Sequence, residues 1–485
     1  MGRLIPWLLF SLGVCILGFA YGVAATRLGW WPNSLILEAE NAYKALRQTA
    51  AEELGQFNPV GFEFFDPEGT GEPSVTLHSG ASGKERILVS GGHLRYGRLC
   101  PEHGCLAWLM DRDGKVLHTW EVDPKIPWGG LEHVQGLNLV DRLSPYQMHL
   151  YPNGDLLVSY QGRNTYPFGI GLAKFDKDSK LLWSKENFAH HWFSVDEAGR
   201  ILTPRLRKLP LPHRFGNTNL VLECEQLELY QDTIATLDPD GNLIDEFSVL
   251  DALVDSGYAG AVFRSVFATR GPEFRQRDNP MRSCDPTHLN NVQILSAKAA
   301  PDYPGLTAGD LLISMRTLNA IAVVDPKTRR IKRFSQGHSV MQHSPRFIGD
   351  NRVLVFDNQG GQSEQGGSRL LSLPLDPSQQ PEVLFPRPDT PADIHFTSYD
   401  TGHLELSADG ARVLVALTRD GRLMEINRHD GRRVWEYENT HDIRPFVGDM
   451  GKDRRIARLA IFTAHYVDNT DFPMNRITPT SPAPQ

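Results

Sequence analysis

From residue 58 onward, apolar positions alternate with polar ones in short runs, each closed by Asp-Gly, Asn-Gly or a similar pair. Alternation at period two gives a strand one buried face, and those dipeptides accept the left-handed backbone of a tight hairpin. Six hairpins share one plan of strand, polar turn and strand: 106–120, 171–184, 232–247, 320–334, 369–385 and 422–437. Between them lie inner strand pairs with Gly-containing turns, at 148–160, 193–205, 309–316, 347–358 and 404–417. Two hairpins make a four-stranded sheet that cannot bury both faces alone, whereas sheets stacked around an axis can. The pattern therefore predicts an all-β chain, a six-bladed β-propeller over 105–470 preceded by a β-rich segment at 58–104.

The ends differ. Residues 4–25 carry no ionisable side chain except Tyr21, and about 20 apolar residues cross a bilayer as a helix. Trp30 and Trp31 follow at the place of an interfacial belt. These features predict an N-terminal transmembrane helix within 1–31, a single-pass membrane anchor that leaves the propeller on the periplasmic or extracellular side. A cleaved signal peptide, with Val23 and Ala25 before the cut, is the competing reading; the length of the apolar run favours retention. Residues 32–57, with Leu35, Leu37, Ala42, Ala45 and Leu46 on a rough stripe, read as a helical connector. The helical-looking stretch at 250–282 reads as an insertion, a lid or contact surface, and the Pro-rich 471–485 as a disordered tail.

Composition narrows the chemistry. With 50 Lys and Arg against 58 Asp and Glu, net charge −8, the chain offers no basic face for phosphate backbones, which excludes nucleic acid as a partner. Outside the apolar run lie Cys100, Cys105, Cys224 and Cys284, in keeping with an oxidising compartment. Cys100 and Cys105 are expected to close a small disulfide loop, while Cys224 and Cys284 either pair or stay as buried thiols. His103 between the first two lacks a second matching pair of ligands, so neither a metal nor another cofactor is expected. Gly-x-Ser-x-Gly, P-loop and His-Glu-x-x-His motifs are absent.

Seven histidines flank innermost strands: His149, His190, His191, His288, His343, His395 and His403. A lone histidine there is most simply a hydrogen-bonded corner, but several converging on one channel make a site. Four of them sit in longer segments: CDPTHLNNV at 284–292 and MQHSPRFIGDNRVLVFDNQGG at 341–361 flank LLISMRTLNAI at 311–321, and AHHWFSVDEAGRIL lies upstream. In this order the segments resemble the PAPS-independent arylsulfotransferase (aryl-sulfate sulfotransferase) family, and the similarity runs over most of 105–470. The family's Asp-x-x-His-x-Asn falls on Asp285, His288 and Asn290, its Ser-x-Arg on Ser314 and Arg316, its Gln-His on Gln342 and His343, followed by Phe356 to Asn358.

The resemblance implies ping-pong sulfuryl transfer from an aryl sulfate to a phenolic acceptor through a sulfohistidine on His343. Neutral imidazole is nucleophilic near pH 7, and the Arg316 fork suits the sulfuryl oxygens. His288 would serve those oxygens or the leaving phenolate, and His190 or His191 the other side. Adjacent strand residues face opposite ways; His191 is favoured as catalytic, with His190, Asn290 and Asn358 as substrate-binding residues. The chain departs from the family in having no cysteine between Arg316 and His343, and Pro286 where an aromatic is common. CDPTH also approaches the Cys-x-Pro-x-Arg signature of sulfatases, but His288 replaces the required Arg. Phenols and aryl sulfates are thus the expected small-molecule partners, the membrane a further one, and a homodimer an assembly to test for. The alternative is a non-catalytic propeller that binds a small anion, a glycan or a partner protein in its channel.

Overall fold

In a computed structural model, the described residues are 4–28, 30–32, 69–91, 105–131, 143–162, 168–216, 220–223, 228–268, 284–359, 367–398, 401–444, 455–468 and 472–474. The chain forms two compact units, Met1–Pro59 and Val60–Gln485.

In the first unit, Leu4–Leu28 is a helix of 25 residues, along which Trp7, Phe10, Leu12, Ile16, Leu17 and Phe19 are exposed. The transmembrane anchor expected here is not carried by the structure: among the described residues no helix is long and apolar enough to cross a membrane. Apart from Pro32, the expected connector at 32–57 lies outside the described residues.

The second unit contains six sheets of at least four antiparallel strands. Blade one is Arg86–Ser90, Ala107–Met110 and Val116–Trp120, with Ala464–Val467 as its innermost strand. Blade two runs from Leu143–Leu150 through Leu156–Gly162 and Gly169–Phe175 to Leu181–Lys185. Blade three is Ser194–Val195, Ile201–Pro210, Glu228–Leu237 and Leu243–Ser248. Blade four is Leu289–Ile294, Leu311–Met315, Ala320–Asp325 and Arg330–Gln336; blade five is His343–Gly349, Arg352–Asp357, Arg369–Pro374 and Glu382–Phe385. Blade six is His403–Leu406, Arg412–Leu417, Arg422–Asn427 and Arg433–Glu438, with Ser74–His78 added outside.

The hairpins form where the sequence places them, for a local reason. Asp111, Asp176, Asp196 and Asp238 each accept, at Oδ1, the backbone N–H groups two and four residues ahead. The residue three positions on, Gly114, Ser179, Gly199 or Gly241, is left-handed in every case, as such a turn requires. Strand alternation then supplies the core. Ile87 and Val89 pack towards blade six and Leu88 towards blade two; Val353 and Val355 face blade four, Leu354 and Phe356 blade six. One apolar cluster lies between each pair of neighbouring blades, so each blade is buried only by its neighbours.

Two expectations are corrected here. Strands at 74–78 and 86–90 belong to blades six and one, so the propeller begins before residue 105. Phe472, in the segment read as tail, packs beside His118 and Trp120 with ring centroids at 5.1 and 6.1 Å; 475–485 lie outside the described residues. The insertion after blade three begins with helices Val249–Asp255 and Ala259–Ala268, and 269–283 fall outside the described residues. Cys105 and Cys284 are both disulfide-bonded, whereas Cys100 and Cys224 are outside the described residues.

Candidate functional site

The residues entering the innermost strands hold unusual backbone conformations. His191, His288, Met341 and Ser344 have φ of 51°, 49°, 55° and 51°, left-handed positions that a residue with a Cβ rarely adopts unless its surroundings dictate it. Each is held. Ser159 of blade two donates to the His191 carbonyl at 2.9 Å, and Val292 of blade four donates its N–H to the Trp192 carbonyl at 3.1 Å. Asp285 accepts the His288 backbone N–H at 2.8 Å through Oδ1 and lies 2.6 Å from its Nδ1 through Oδ2. Met341 donates its N–H to Asn319 Oδ1 at 2.8 Å.

These turns deliver His191, His288 and Arg316 to one cavity of about 310 Å³. Tyr146, Phe168 and Phe462 give it aromatic walls, Thr401 and Thr418 add hydroxyls, and Arg419 a second guanidinium. The ring centroids of His191 and His288 are 5.3 Å apart, and Phe168 lies 5.3 Å from each. Phe168 thus supplies an aromatic face over His288, which Pro286 cannot. Arg316 donates its backbone N–H to the His288 carbonyl at 3.1 Å and its Nη2 approaches Met341 Sδ at 3.9 Å.

His343 opens blade five, 1% exposed. It is not part of the cavity lining itself but stands behind it, with the Trp192 ring edge-on at 5.6 Å. Its Nδ1 is 2.8 Å from Asn358 Oδ1. Asn358 Nδ2 donates to the carbonyls of Ser398 and Thr401, each at 2.8 Å, so the amide can only present its oxygen. Nδ1 therefore carries the proton and the imidazole lone pair resides on Nε2.

The other motif residues hold blades four and five together. Gln342 Nε2 donates to Ser314 Oγ, the Met315 carbonyl and the Ala320 carbonyl at 3.1, 3.2 and 3.0 Å. The Gln342 backbone carbonyl accepts from Asn290 Nδ2 at 2.9 Å. Of the expected substrate contacts, Asn290 gives Nδ2 to the Gln342 backbone carbonyl and keeps Oδ1 without a hydrogen-bond partner among the described residues, while Asn358 is engaged by His343. His190 is a third. It is fully buried and lies behind His191, Nδ1 to Nδ1 at 2.7 Å, so His191 is the one of the pair that reaches the cavity. His395 is exposed beside Ala392–Ile394, away from the channel.

The electrostatics are those of a cationic pocket. Burial first, then His190, His288, His343 and Arg316, hold the His191 pKa well below its ordinary 6.5. Burial works to raise the Asp285 carboxyl, but His288 outweighs it and the pKa is lowered. Among the described residues the one grouping spaced to hold a metal is His403, Glu405 and His465. Its place is already cationic: Arg346, fully buried with its pKa lowered by that burial, sets Nη2 2.9 Å from His403 Nε2 and Nε 3.9 Å from Glu405 Oε2.

A sequence search for histidine and arginine motifs had no means to find Tyr146, Phe168, Thr401, Thr418 or Phe462, since aromatics and hydroxyls near strand ends are common. The turns at the strand ends are what bring them together.

Comparison with curated proteins finds no match. Among solved structures, a protein of unknown function from Bacteroides caccae aligns at 11% identity over 79% of this chain and 99% of its own, TM-score 0.43. A putative 6-phosphogluconolactonase from Bacteroides fragilis aligns at 12% over 74% and 82%, TM-score 0.36. Virginiamycin B lyase from Staphylococcus aureus aligns at 12% over 62% and 73%, TM-score 0.33. Scores this low carry no argument about the site. The profile of the arylsulfotransferase (ASST) family does, for it matches residues 147–440, a stretch that takes in His191, His288, Arg316 and His343 together with the residues that hold them. With more than half of its length matched, this chain belongs to the arylsulfotransferase family.

Proposed function

We propose that the protein transfers a sulfuryl group from an aryl sulfate to a phenol by a ping-pong mechanism through a sulfohistidine. The observation that carries it is the fixed tautomer of His343, whose lone pair on Nε2 stands beside a cavity gathering His191, His288 and Arg316. Nε2 attacks sulfur, the sulfur–oxygen bond to the aryl group breaks, and a phenolate departs. Arg316 sets its planar, permanent charge against the sulfuryl oxygens, where charge is held in the transition state. To donate to those oxygens or to the leaving phenolate, His288 acts as the imidazolium, with Nδ1–H held by the Asp285 carboxylate and Nε2–H turned to the substrate. The acceptor phenol then loses its proton to a base, its oxygen attacks sulfur, and the nitrogen–sulfur bond breaks. Tyr146, Phe168 and Phe462 suit the aromatic rings of both substrates.

The apolar run at residues 4–25 is proposed as an export segment that puts the propeller on the periplasmic or extracellular side. Fractionation of the full chain against a variant lacking 1–31 tests that placement.

The test of the reaction is release of nitrophenolate from a nitrophenyl sulfate, with and without phenol, by wild type and His343→Ala. Phenol-dependent release, lost in the variant, with a sulfuryl adduct on the wild-type His343 peptide, is the expected result. Absence of release by wild type across a panel of aryl sulfates overturns the reaction in favour of a binding propeller.

A further inference from the structure

Behind His191 lies a chain of buried polar groups that none of the steps above uses. Asp232, on the blade-three strand Glu228–Leu237, is wholly buried. Its Oδ2 accepts from Thr287 Oγ1 at 2.5 Å and from the Leu289 N–H at 2.6 Å, which ties blade three to the first residues of blade four. Its Oδ1 lies 3.4 Å from His190 Nε2, an ion-pair separation rather than a hydrogen bond, and neither of these two buried atoms has a hydrogen-bond partner elsewhere among the described residues. His190 Nδ1 in turn lies 2.7 Å from His191 Nδ1.

Two ring nitrogens at that separation share one proton, and Asp232 decides which ring owns it. A carboxylate repels a lone pair and favours an N–H turned towards it, which puts the His190 hydrogen on Nε2; in neutral His190 the lone pair is then on Nδ1, which accepts Nδ1–H from His191. That leaves the His191 lone pair on Nε2. We propose that Asp232 and His190 are positioning residues that make His191 Nε2 the base for the acceptor phenol and carry the resulting charge away from the cavity. The inference rests on the sulfuryl-transfer reading for its substrate, though not for its tautomers.

The proton balance is closed. As the phenol oxygen attacks sulfur, its O–H bond breaks and an Nε2–H bond forms on His191. The Nδ1–H of His191 passes to His190 Nδ1, so the positive charge ends on His190 against Asp232, and His343 regains its lone pair as the nitrogen–sulfur bond breaks. The surroundings make this transfer necessary. His288 and Arg316 from blade four and His343 from blade five, together with burial, oppose a charge on His191, and the phenol of Tyr146 from blade two, its ring centroid at 5.4 Å, is the remaining titratable group against it.

Two measurements on the full chain test this. Nitrogen-15 spectra of histidine-labelled wild type report the tautomer directly: His191 is expected as Nδ1–H with Nε2 unprotonated, and the reverse tautomer overturns the relay whether or not the protein has activity. Asp232→Asn presents an amide N–H to His190 and reverses both tautomers. In that variant adduct formation on His343 is expected to persist, while its discharge by phenol slows by roughly 10²-fold. Acceptors acidic enough to be phenolates already, such as nitrophenols, are expected to restore the rate. Equal loss in both half-reactions, with no dependence on acceptor acidity, overturns the relay as a purely structural tie. His190→Asn, which keeps the carboxylate and its blade contacts, gives the same readings if Asp232→Asn does not fold. Failure of wild type to form any adduct is the separate result that overturns the reaction itself, and the spectra then decide the tautomers alone.

Discussion

Asn358 determines which nitrogen of His343 is nucleophilic. Because Nδ2 is held by the carbonyls of Ser398 and Thr401, Oδ1 must face Nδ1 of His343 at 2.8 Å. Asn358→Ala removes the constraint, so the ring can turn or take the other tautomer. Adduct formation is expected to slow by roughly 10–100-fold, the range seen when an orienting partner of a histidine is lost, with aryl-sulfate KM little changed. Single-turnover release of nitrophenolate measures it; an unaltered rate would show that Trp192 and the blade backbone orient His343 unaided.

Arg316 and its replacement by lysine separate charge from shape. The guanidinium is a planar fork with fixed donors, whereas an ammonium is a point charge on a flexible stem. If Arg316 grips the sulfuryl oxygens as they gain charge, Arg316→Lys lowers kcat for the donor half-reaction by about 10²-fold or more and leaves the fold intact. A change confined to KM would place the residue in ground-state binding.

Much of this architecture was legible because period-two alternation and Asp-containing turns are local properties. The six hairpins, the inner pairs and the closing of each blade against its neighbours follow from them. What was not legible depended on contacts far apart in the chain. The outer strand Ser74–His78 joins blade six across more than 350 residues, and nothing near residue 74 announces that pairing. His190 and His191 are the sharper case. The motif marks both, but only Asp232, some 40 residues on, and the left-handed φ of His191 settle which faces the cavity. Asn358 looked like a substrate contact because polar residues near a nucleophile usually are; its amide is occupied by His343 and two carbonyls, whereas Asn290 gives only Nδ2, to the Gln342 carbonyl.

Ring closure concentrates on Glu425, which is fully buried. Arg112 of blade one and Tyr466 of the C-terminal strand donate to it at 2.5 and 2.8 Å, and Arg412 at 3.4 Å. Removing one partner of a buried ion pair leaves the others unmatched and costs about 3–5 kcal/mol. Glu425→Ala is therefore expected to lower the chemical-denaturation midpoint strongly, and Glu425→Gln less. A loss below about 1 kcal/mol would mean that the interblade apolar clusters close the ring alone.

Acid should weaken the fold before it protonates the carboxylates. Burial first, then the neighbouring His465, lowers the pKa of His149 to about 4, and burial holds those of His191 and His403 well below the ordinary 6.5. Folded, these rings resist protonation; unfolded, they accept it near 6.5. Stability is thus complete above about pH 6.5 and declines as pH falls towards the folded-state values, since the unfolded chain binds more protons throughout that window. For His149 alone a shift from 6.5 to about 4 amounts to about 3 kcal/mol at its acid end. Urea melts at pH 7.5, 6.5, 5.5 and 5 are expected to be level over the first interval and to lose midpoint over the next two. His149→Gln should flatten that slope whatever it does to the midpoint at pH 7.5. Asp285 and Glu405, both held below their ordinary values, add their loss only at lower pH, so a slope that begins near pH 4 instead would assign the acid sensitivity to the carboxylates.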